Sequence, residues 1–556
     1  METEMDSRLR DVYVGESSII SSLGVGTRAC VEAIAAQTTN LSARGCTINR
    51  TVINTEDLEG YTFAEQLVIR AMLDVQMRSS ISIADSRTAI VLSTTKGNVE
   101  LLNNDFDRTY LWQFAENIKS YFGCEQTPQV ISTACISGVA AVAIAARMVE
   151  NGEADNVYVV GIDTICDFII EGFSSFKSIS AEVCRPYDAS RDGLTIGEGC
   201  GVILLCADEL NSTSKILVSG CGLSNDANHI SAPSRSGDGL FFAINQAMAQ
   251  AGVTPTDIDY INLHGTGTPY NDEMESKAVN MTELLSAPCN SLKPYLGHTF
   301  GASGVIESIL VVEQMLRGEV FGVKGYESCG VPYELNISSE NRKANIRHAV
   351  KTASGFGGTN GAIIFSQKLE AKSVVRHIAT DLRTEQIAHI EIDSKNIETP
   401  FAEFIKGEYR ALNDANLKFF KMDNLSKLGY VASCKMMQGV DLGVAQGRVA
   451  VVMANRSSSS HSDLKHQDIV NQRLAEGTSP AVFVYTLPNI VASEIAIKHR
   501  FQGETIFFVE EQKSMSRLRR YSEDLMVRGV CDAALYGWCE LLGEDYNVEL
   551  TLIKKI

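Results

Sequence analysis

Three observations predict a layered α/β fold. Strand-like apolar runs at Thr88 to Ser93, Val157 to Ile162, Val202 to Leu205 and Ile216 to Val218 alternate with stretches of helical periodicity. The segment from Val139 to Ala146 is small and apolar at every position, which predicts a helix buried on nearly every side at a domain's centre. The chain has 556 residues, more than one ordinary core accommodates, and its 45% hydrophobic content is that of a globular protein, so two or three folding units are expected.

Taken from the amino end, Met1 to Asp6 is acidic and has no apolar core, so no signal peptide is read there. The longest apolar stretch is the helix after Cys135, which Arg147 interrupts and which is too short to span a bilayer. A formal charge of −19, from 49 basic and 68 acidic residues, argues against nonspecific nucleic-acid binding and leaves no polybasic patch for a membrane. Fourteen cysteines without a compact disulfide pattern fit a reducing, cytoplasmic compartment.

Cys135 lies between the apolar strand Gln129 to Thr133 and the small-residue helix. At a helix mouth, unpaired N–H groups and the positive dipole end favour thiolate over thiol, so its pKa is expected to fall below the usual value of about 8.5. Two histidines occupy similar places. His264 follows the short strand Tyr260 to Leu263 and opens Gly265-Thr266-Gly267-Thr268-Pro269, while His298 precedes an apolar helical run through Ile306, Ile309 and Leu310. A glycine-rich turn, Ser354-Gly355-Phe356-Gly357-Gly358-Thr359-Asn360, joins strand-like runs from Ala349 to Ala353 and Ala362 to Phe365, and lets main chain approach a ligand closely.

In order and wording these four motifs resemble the elongating, Cys-His-His β-ketoacyl-[acyl-carrier-protein] synthases of the thiolase superfamily. Arg185 to Gly193, Gly197 to Gly201, Asp226 to His229 and Ala232-Pro233 carry the likeness onward, over roughly residues 10 to 368. The resemblance implies a synthase domain at residues 1–368, built as a thiolase-like five-layer αβαβα fold from similar halves near 1–225 and 226–368. It implies an acyltransferase in which Cys135 takes an acyl group and condenses it with malonyl carrier protein by decarboxylation. Backbone N–H groups of Cys135 and Phe356 would then form the oxyanion hole, and neutral His264 and His298 would stabilise the enolate.

The same resemblance makes Lys293 and Glu275 an ion pair near the site, Thr266 and Thr268 the hydroxyls that hold phosphopantetheine, and the Phe356 side chain an acyl gate. It implies an acyl carrier protein as partner, a homodimer or a heterodimer with a ketosynthase-like subunit, and no cofactor beyond the carrier's own arm. Neither zinc-ligand spacing, a phosphate loop nor a dinucleotide-binding motif is present, so no metal is expected.

Residues 369–384 read as a charged linker and 385–556 as a further α/β half-domain. Arg448 to Met453 resembles Arg87 to Leu92, and Thr486 to Ile497 resembles Thr133 to Ile144, which would put Pro488 where Cys135 stands. The region is thus expected to be a degenerate copy of the first synthase half, lacking the nucleophile and exposing an interface for this chain's own synthase domain or for another subunit. Ser457 to Ser460 reads as a polar loop, Cys531 and Cys539 as core residues. Two functions are compatible with this layout: an active chain-elongating synthase of fatty-acid-like, polyketide or polyene synthesis, and a noncatalytic scaffold subunit resembling chain-length factors. Intact Cys135, His264, His298 and Lys293 favour the first.

Overall fold

The computed structural model describes residues 9–42, 44–368, 382–472 and 478–556. The predicted linker therefore lies almost wholly outside the described residues. Fifteen principal strands fall into three groups of five, each with the same internal order and sense.

The first group comprises β1 (Tyr13–Ser21), β2 (Thr88–Ser93), β3 (Gln129–Ile131), β4 (Asn156–Asp163) and β5 (Gly199–Cys206), with α1 (Leu111–Phe122) before β3 and α2 (Ser137–Glu150) after it. The second comprises β6 (Ile216–Asn225), β7 (Tyr260–Asn262), β8 (Cys289–Asn290), β9 (His348–Gly355) and β10 (Thr359–Gln367), with α3 (Pro269–Met281) and α4 (Ser303–Arg317) on either side of β8. The third comprises β11 (Thr384–Asp393), β12 (Val449–Asn455), β13 (Thr505–Val509), β14 (Ala533–Leu542) and β15 (Asp545–Lys555), with α5 (Ile490–His499) and α6 (Met515–Val527) flanking β13.

In every group the hydrogen-bonded order is third, second, fourth, fifth, first strand. The second strand runs parallel to its third and fourth, and the fifth is antiparallel to both of its neighbours. Strands β2 and β12 are buried at every position. Layers of helix on both faces explain why they read as unbroken apolar runs rather than alternating ones.

An ion pair recurs with the strands. Arg87, just before β2, meets Asp155, just before β4, at 2.9 Å, and Arg448 meets Asp532 at 2.8 Å at the same two places in the third group. Arg87 also donates to the carbonyl of Gly152, and Arg448 to that of Gly529. In the second group the polarity is reversed, Asp259 preceding β7 and Arg347 preceding β9, 3.0 Å apart. The third group therefore copies the first half in detail.

Between the first two groups of strands lie α2 and α4, and all 14 residues of α2 are buried, as its composition predicted. The two helices touch at Gly138 and Gly304. A Cβ on Gly304 would stand 2.2 Å from Val139 N, and one on Gly138 would stand 2.7 Å from Val305 N, so only glycine lets these backbones meet.

The third group docks on the first. Strand β13 pairs antiparallel with β3, Phe508 opposite Ile131 and Val509 opposite Val130, so one sheet runs from the synthase half into the C-terminal region. Buried Arg147 on α2 makes two 2.8 Å bonds to Glu504, and a third of 2.8 Å to Tyr521. The interface expected of residues 385–556 is thus occupied by this chain's own synthase domain.

One sequence expectation about this region is corrected. Segment Thr486 to Ile497 leads into α5 and forms most of it, and α5 precedes β13 as α1 precedes β3, so Pro488 does not occupy the place of Cys135. That place falls at Gln512-Lys513, between β13 and α6; short apolar similarity misled because α2 and α5 are both buried helices. Ser457 to Ser459 form the polar loop read from the sequence and Ser460 opens the helix after it, all four serines being buried. Cys531 and Cys539 are fully buried core residues.

Candidate active site

Cys135 sits in a single 3-10 turn, Ala134–Ile136, between β3 and α2, and is half-buried. His264 leaves the end of β7 and His298 follows a short helical turn, Lys293–Leu296. Distant in sequence, the three converge: the Cys135 sulfur and one nitrogen of each imidazole all lie within 4.8 Å of one another. The imidazole rings stand edge to face, 5.1 Å between centroids at 84°. These donor types at this spacing could also hold a soft divalent ion.

The site has two compartments. An outer cavity of about 470 Å³ is lined by Cys135, both histidines, Thr266, Thr268 and Phe356. An inner cavity of about 20 Å³ also touches Cys135 and is bounded by Lys96, Phe173, Phe300, Phe356, Phe483 and Leu487. Phe356 borders both, stacked on Phe176 with ring centroids 5.4 Å apart, which is where a gate would stand. The Thr266 and Thr268 hydroxyls are 2.8 Å from each other on the outer wall.

Burial governs protonation here. It pushes the Cys135 thiol up to about 12, Lys293 opposing and Asp163 adding to the shift, while the backbone N–H groups of Phe356 and Cys135 act on the sulfur in the opposite sense. The expected low pKa is therefore corrected: burial holds the thiol above its ordinary value, and it rests protonated. Desolvation and then Lys293 hold both His264 and His298 well below the usual imidazole range, so both are neutral. His298 Nδ1 lies 3.0 Å from Ser303 Oγ, which already accepts from Thr299 N at 3.1 Å. That hydroxyl can donate its own hydrogen to Nδ1, leaving the ring proton on Nε2.

The predicted Lys293–Glu275 ion pair is not formed. Lys293 Nζ meets Glu307 at 2.8 Å, both groups buried. Glu275, on α3, accepts instead from the backbone N–H groups of His264 and Gly265, each at 2.7 Å, and from Tyr187 OH at 2.8 Å. Its place is thus under the His264 loop rather than beside Lys293. A signal for Glu307 was present, as the lone charge in Gly304-Val305-Ile306-Glu307-Ser308-Ile309-Leu310.

Sequence reasoning missed four further residues. Asp163, at the end of β4, accepts from Thr94 Oγ1 at 2.8 Å and Gly301 N at 2.7 Å, tying two loops beside Cys135. Lys351 is buried on β9, 2.5 Å from Glu307. Lys96 crosses into the C-terminal group, bonding Asp463 at 2.6 Å, Ser459 at 3.1 Å and the Thr486 carbonyl. Asn489 donates to the Phe356 carbonyl at 3.0 Å, and a Cβ on Gly357 (φ +91°) would meet Ser493 Oγ at 2.3 Å. The region around α5 is therefore a wall of the active site.

Known proteins share sequence and fold with this chain. Residues 75–211 match the family described as beta-ketoacyl synthase, N-terminal domain, and 216–325 match its C-terminal domain. A 3-oxoacyl-[acyl-carrier-protein] synthase 2 of Vibrio cholerae is 32% identical over 278 residues, 47% of this chain and 67% of the relative. Its counterpart in Rhizobium meliloti is 36% identical over 252 residues, 42% and 59% of the two chains. Among solved structures, a PfaC keto synthase–chain length factor superposes with TM-score 0.81 at 14% identity, over 98% of this chain and 78% of that one. A ketosynthase (ApeO) in complex with its chain length factor (ApeC) from Xenorhabdus doucetiae matches with TM-score 0.58 at 25% identity, over 64% and 98%.

The chain belongs to the β-ketoacyl synthase family, with a thiolase-like fold extended by a further copy of the first half. It spans about three fifths of the length of several curated relatives, 58% of a mitochondrial synthase from Arabidopsis thaliana and 59% of the Rhizobium enzyme.

Proposed function

We propose that this chain is a β-ketoacyl-[acyl-carrier-protein] synthase, joining an acyl group held on Cys135 to a malonyl unit by decarboxylative Claisen condensation. The observation that carries the reading is the convergence of the Cys135 sulfur with both imidazoles within 4.8 Å. In the first half-reaction the thiol attacks a carrier-protein thioester: the S–acyl bond forms, the carrier's thiol departs, and the thiol proton passes to it by way of a neutral imidazole. The Cys135 and Phe356 N–H groups supply the oxyanion hole.

In the second half-reaction malonyl carrier protein loses carbon dioxide, and its electron pair becomes a thioester enolate. Neutral His264 and His298 donate N–H bonds to the enolate oxygen; an imidazolium there would hand over its proton and quench the carbanion. The enolate then attacks the acyl carbonyl, the carbon–carbon bond forms, the S–acyl bond breaks, and Cys135 leaves as a thiolate that takes a proton from water. Thr266 and Thr268 on the outer wall suit the amides of a phosphopantetheine arm, which the carrier protein brings, so no resident cofactor is needed.

The C-terminal group carries none of this chemistry and does the work of a synthase-like partner in cis. Its Phe483 and Leu487 bound the inner cavity with Lys96, which supports a role in limiting acyl length. Among the described residues no helix is long and apolar enough to cross a membrane, and all fourteen cysteines carry free thiols, in keeping with a reducing, cytoplasmic setting.

Replacement of Cys135 by Ala tests the assignment. Condensation should fall to background while malonyl carrier protein is still decarboxylated; condensation at the parental rate would leave only the noncatalytic scaffold reading.

A further inference from the structure

Beneath the two histidines lies a cluster that the condensation mechanism does not use fully. Glu307 on α4 meets one ammonium at each oxygen: Lys293 Nζ at 2.8 Å on Oε1 and Lys351 Nζ at 2.5 Å on Oε2. All three side chains are buried, Lys293 and Lys351 with no exposed surface. A buried lysine is costly, and a second one sharing a single carboxylate is harder to explain as packing.

Lys351 also joins the supports of the two histidine loops. Its Nζ donates to the Thr352 carbonyl at 2.5 Å, and the Thr352 hydroxyl donates at 3.4 Å to Glu275, the carboxylate that holds the His264 and Gly265 N–H groups. Through Glu307 the same lysine bears on Lys293, in the turn that leads to His298. Four residues further along β9, the strand ends at Gly355, where a Cβ would stand 3.1 Å from Cys135 N.

We propose that Lys351 is a positioning residue of the active site, acting through Glu307 to hold Lys293 under the histidine pair and placing a second buried cation beneath the two imidazoles. The inference rests on the synthase reading and deepens it. Burial lowers the proton affinity of Lys351 and Glu307 opposes that; with both ammoniums protonated, two cations share one carboxylate, so the floor keeps positive charge facing the rings, and that charge opposes formation of an imidazolium. Burial, Lys293 and Lys351 all lower the affinity of His264 and His298 for a proton. The charged or titratable groups around the pair include Lys293, Lys351, Glu307, Glu275, Tyr187, Asp272, Cys135 and Asp163. Of these, only the lysines favour the neutral imidazole by their charge.

The test compares Lys351→Met, which removes charge and hydrogen bonds, with Lys351→Gln, which keeps an amide donor in a shorter side chain. The assay is decarboxylation of malonyl carrier protein against pH, run beside the parental enzyme. Loss of Lys351 raises the proton affinity of the imidazoles, so the acid limb of kcat should move to higher pH by about half to one unit in both variants. At neutral pH kcat should fall about tenfold with KM for malonyl carrier protein unchanged, and Gln should restore thermal stability but not the position of the limb. An unshifted limb in a folded, active variant overturns the proposal.

An inactive parental enzyme would instead overturn the synthase reading, so the two failures are distinct. If neither variant folds, carbon-13 labelling of the nine histidines in the parental protein decides: C2 resonances of His264 and His298, assigned by substitution, should report titration well below the ordinary imidazole value. Titration of either near pH 6.5, the ordinary imidazole value, overturns the inference.

Discussion

A cysteine at a helix mouth and a cysteine in a dry pocket obey opposite rules, and Cys135 is both. Its thiol is pushed up to about 12, so the resting nucleophile is protonated at neutral pH. Alkylation of Cys135 by iodoacetamide should accelerate about tenfold per pH unit between pH 6 and 9 without a plateau, followed by mass spectrometry of the modified peptide. A plateau near neutrality would mean that a thiolate is already present. In the proposed mechanism His298 differs in kind, because its N–H meets the oxygen on which enolate charge develops. His298→Ala should therefore slow decarboxylation by about a hundredfold or more while acyl transfer from carrier protein to Cys135 changes far less, as single-turnover measurements of each step would report. Equal losses would remove the role given to it.

Contacts between elements explain why small residues cluster behind the nucleophile. Helices α2 and α4 cross where Gly138 and Gly304 meet backbone to backbone, which brings the Cys135 turn and the His298 loop together. Gly304→Ala puts a methyl 2.2 Å from Val139 N, between segments that are both buried. The variant should lose about 3 kcal/mol, at the upper end for overpacking, measured by urea unfolding, with condensation reduced further than the folded fraction accounts for. Strand β9 acts in the same way at longer range, since one element carries Lys351, Thr352 and Gly355 past Glu307, Glu275 and Cys135 in turn.

Across the whole molecule, the third copy of the five-strand unit completes a site it does not catalyse in. It covers the β3 edge, accepts Lys96, and presents Phe483 to Phe173 with ring centroids 5.2 Å apart. Phe483 also packs on Gly172, where a Cβ would meet its ring at 2.2 Å, so on this side of Cys135 little more than the 20 Å³ inner cavity is left, the larger outer cavity lying on the other. Phe483→Ala should open that cavity and let longer acyl groups accumulate on Cys135, read by mass spectrometry of the trapped acyl-enzyme. It should also cost about 3–5 kcal/mol of stability. An unchanged acyl profile would place the length limit elsewhere.

Local pattern determined much of this protein. Cys135, His264 and His298 stand at chain reversals marked by glycine and small residues, and the burial of α2 follows from an unbroken run from Val139 to Ala146. The repeat of the first half was legible in Arg448 to Met453, because a buried parallel strand must be apolar throughout. What tertiary structure decided was which charges meet. Glu307 rather than Glu275 holds Lys293, since pairing depends on how α4 packs against the His298 turn, and no spacing along the chain encodes that crossing. The same holds for Lys96 with Asp463 and for the protonated Cys135 thiol: partners far apart in sequence, and the exclusion of water, exist only once the copies have closed on one another.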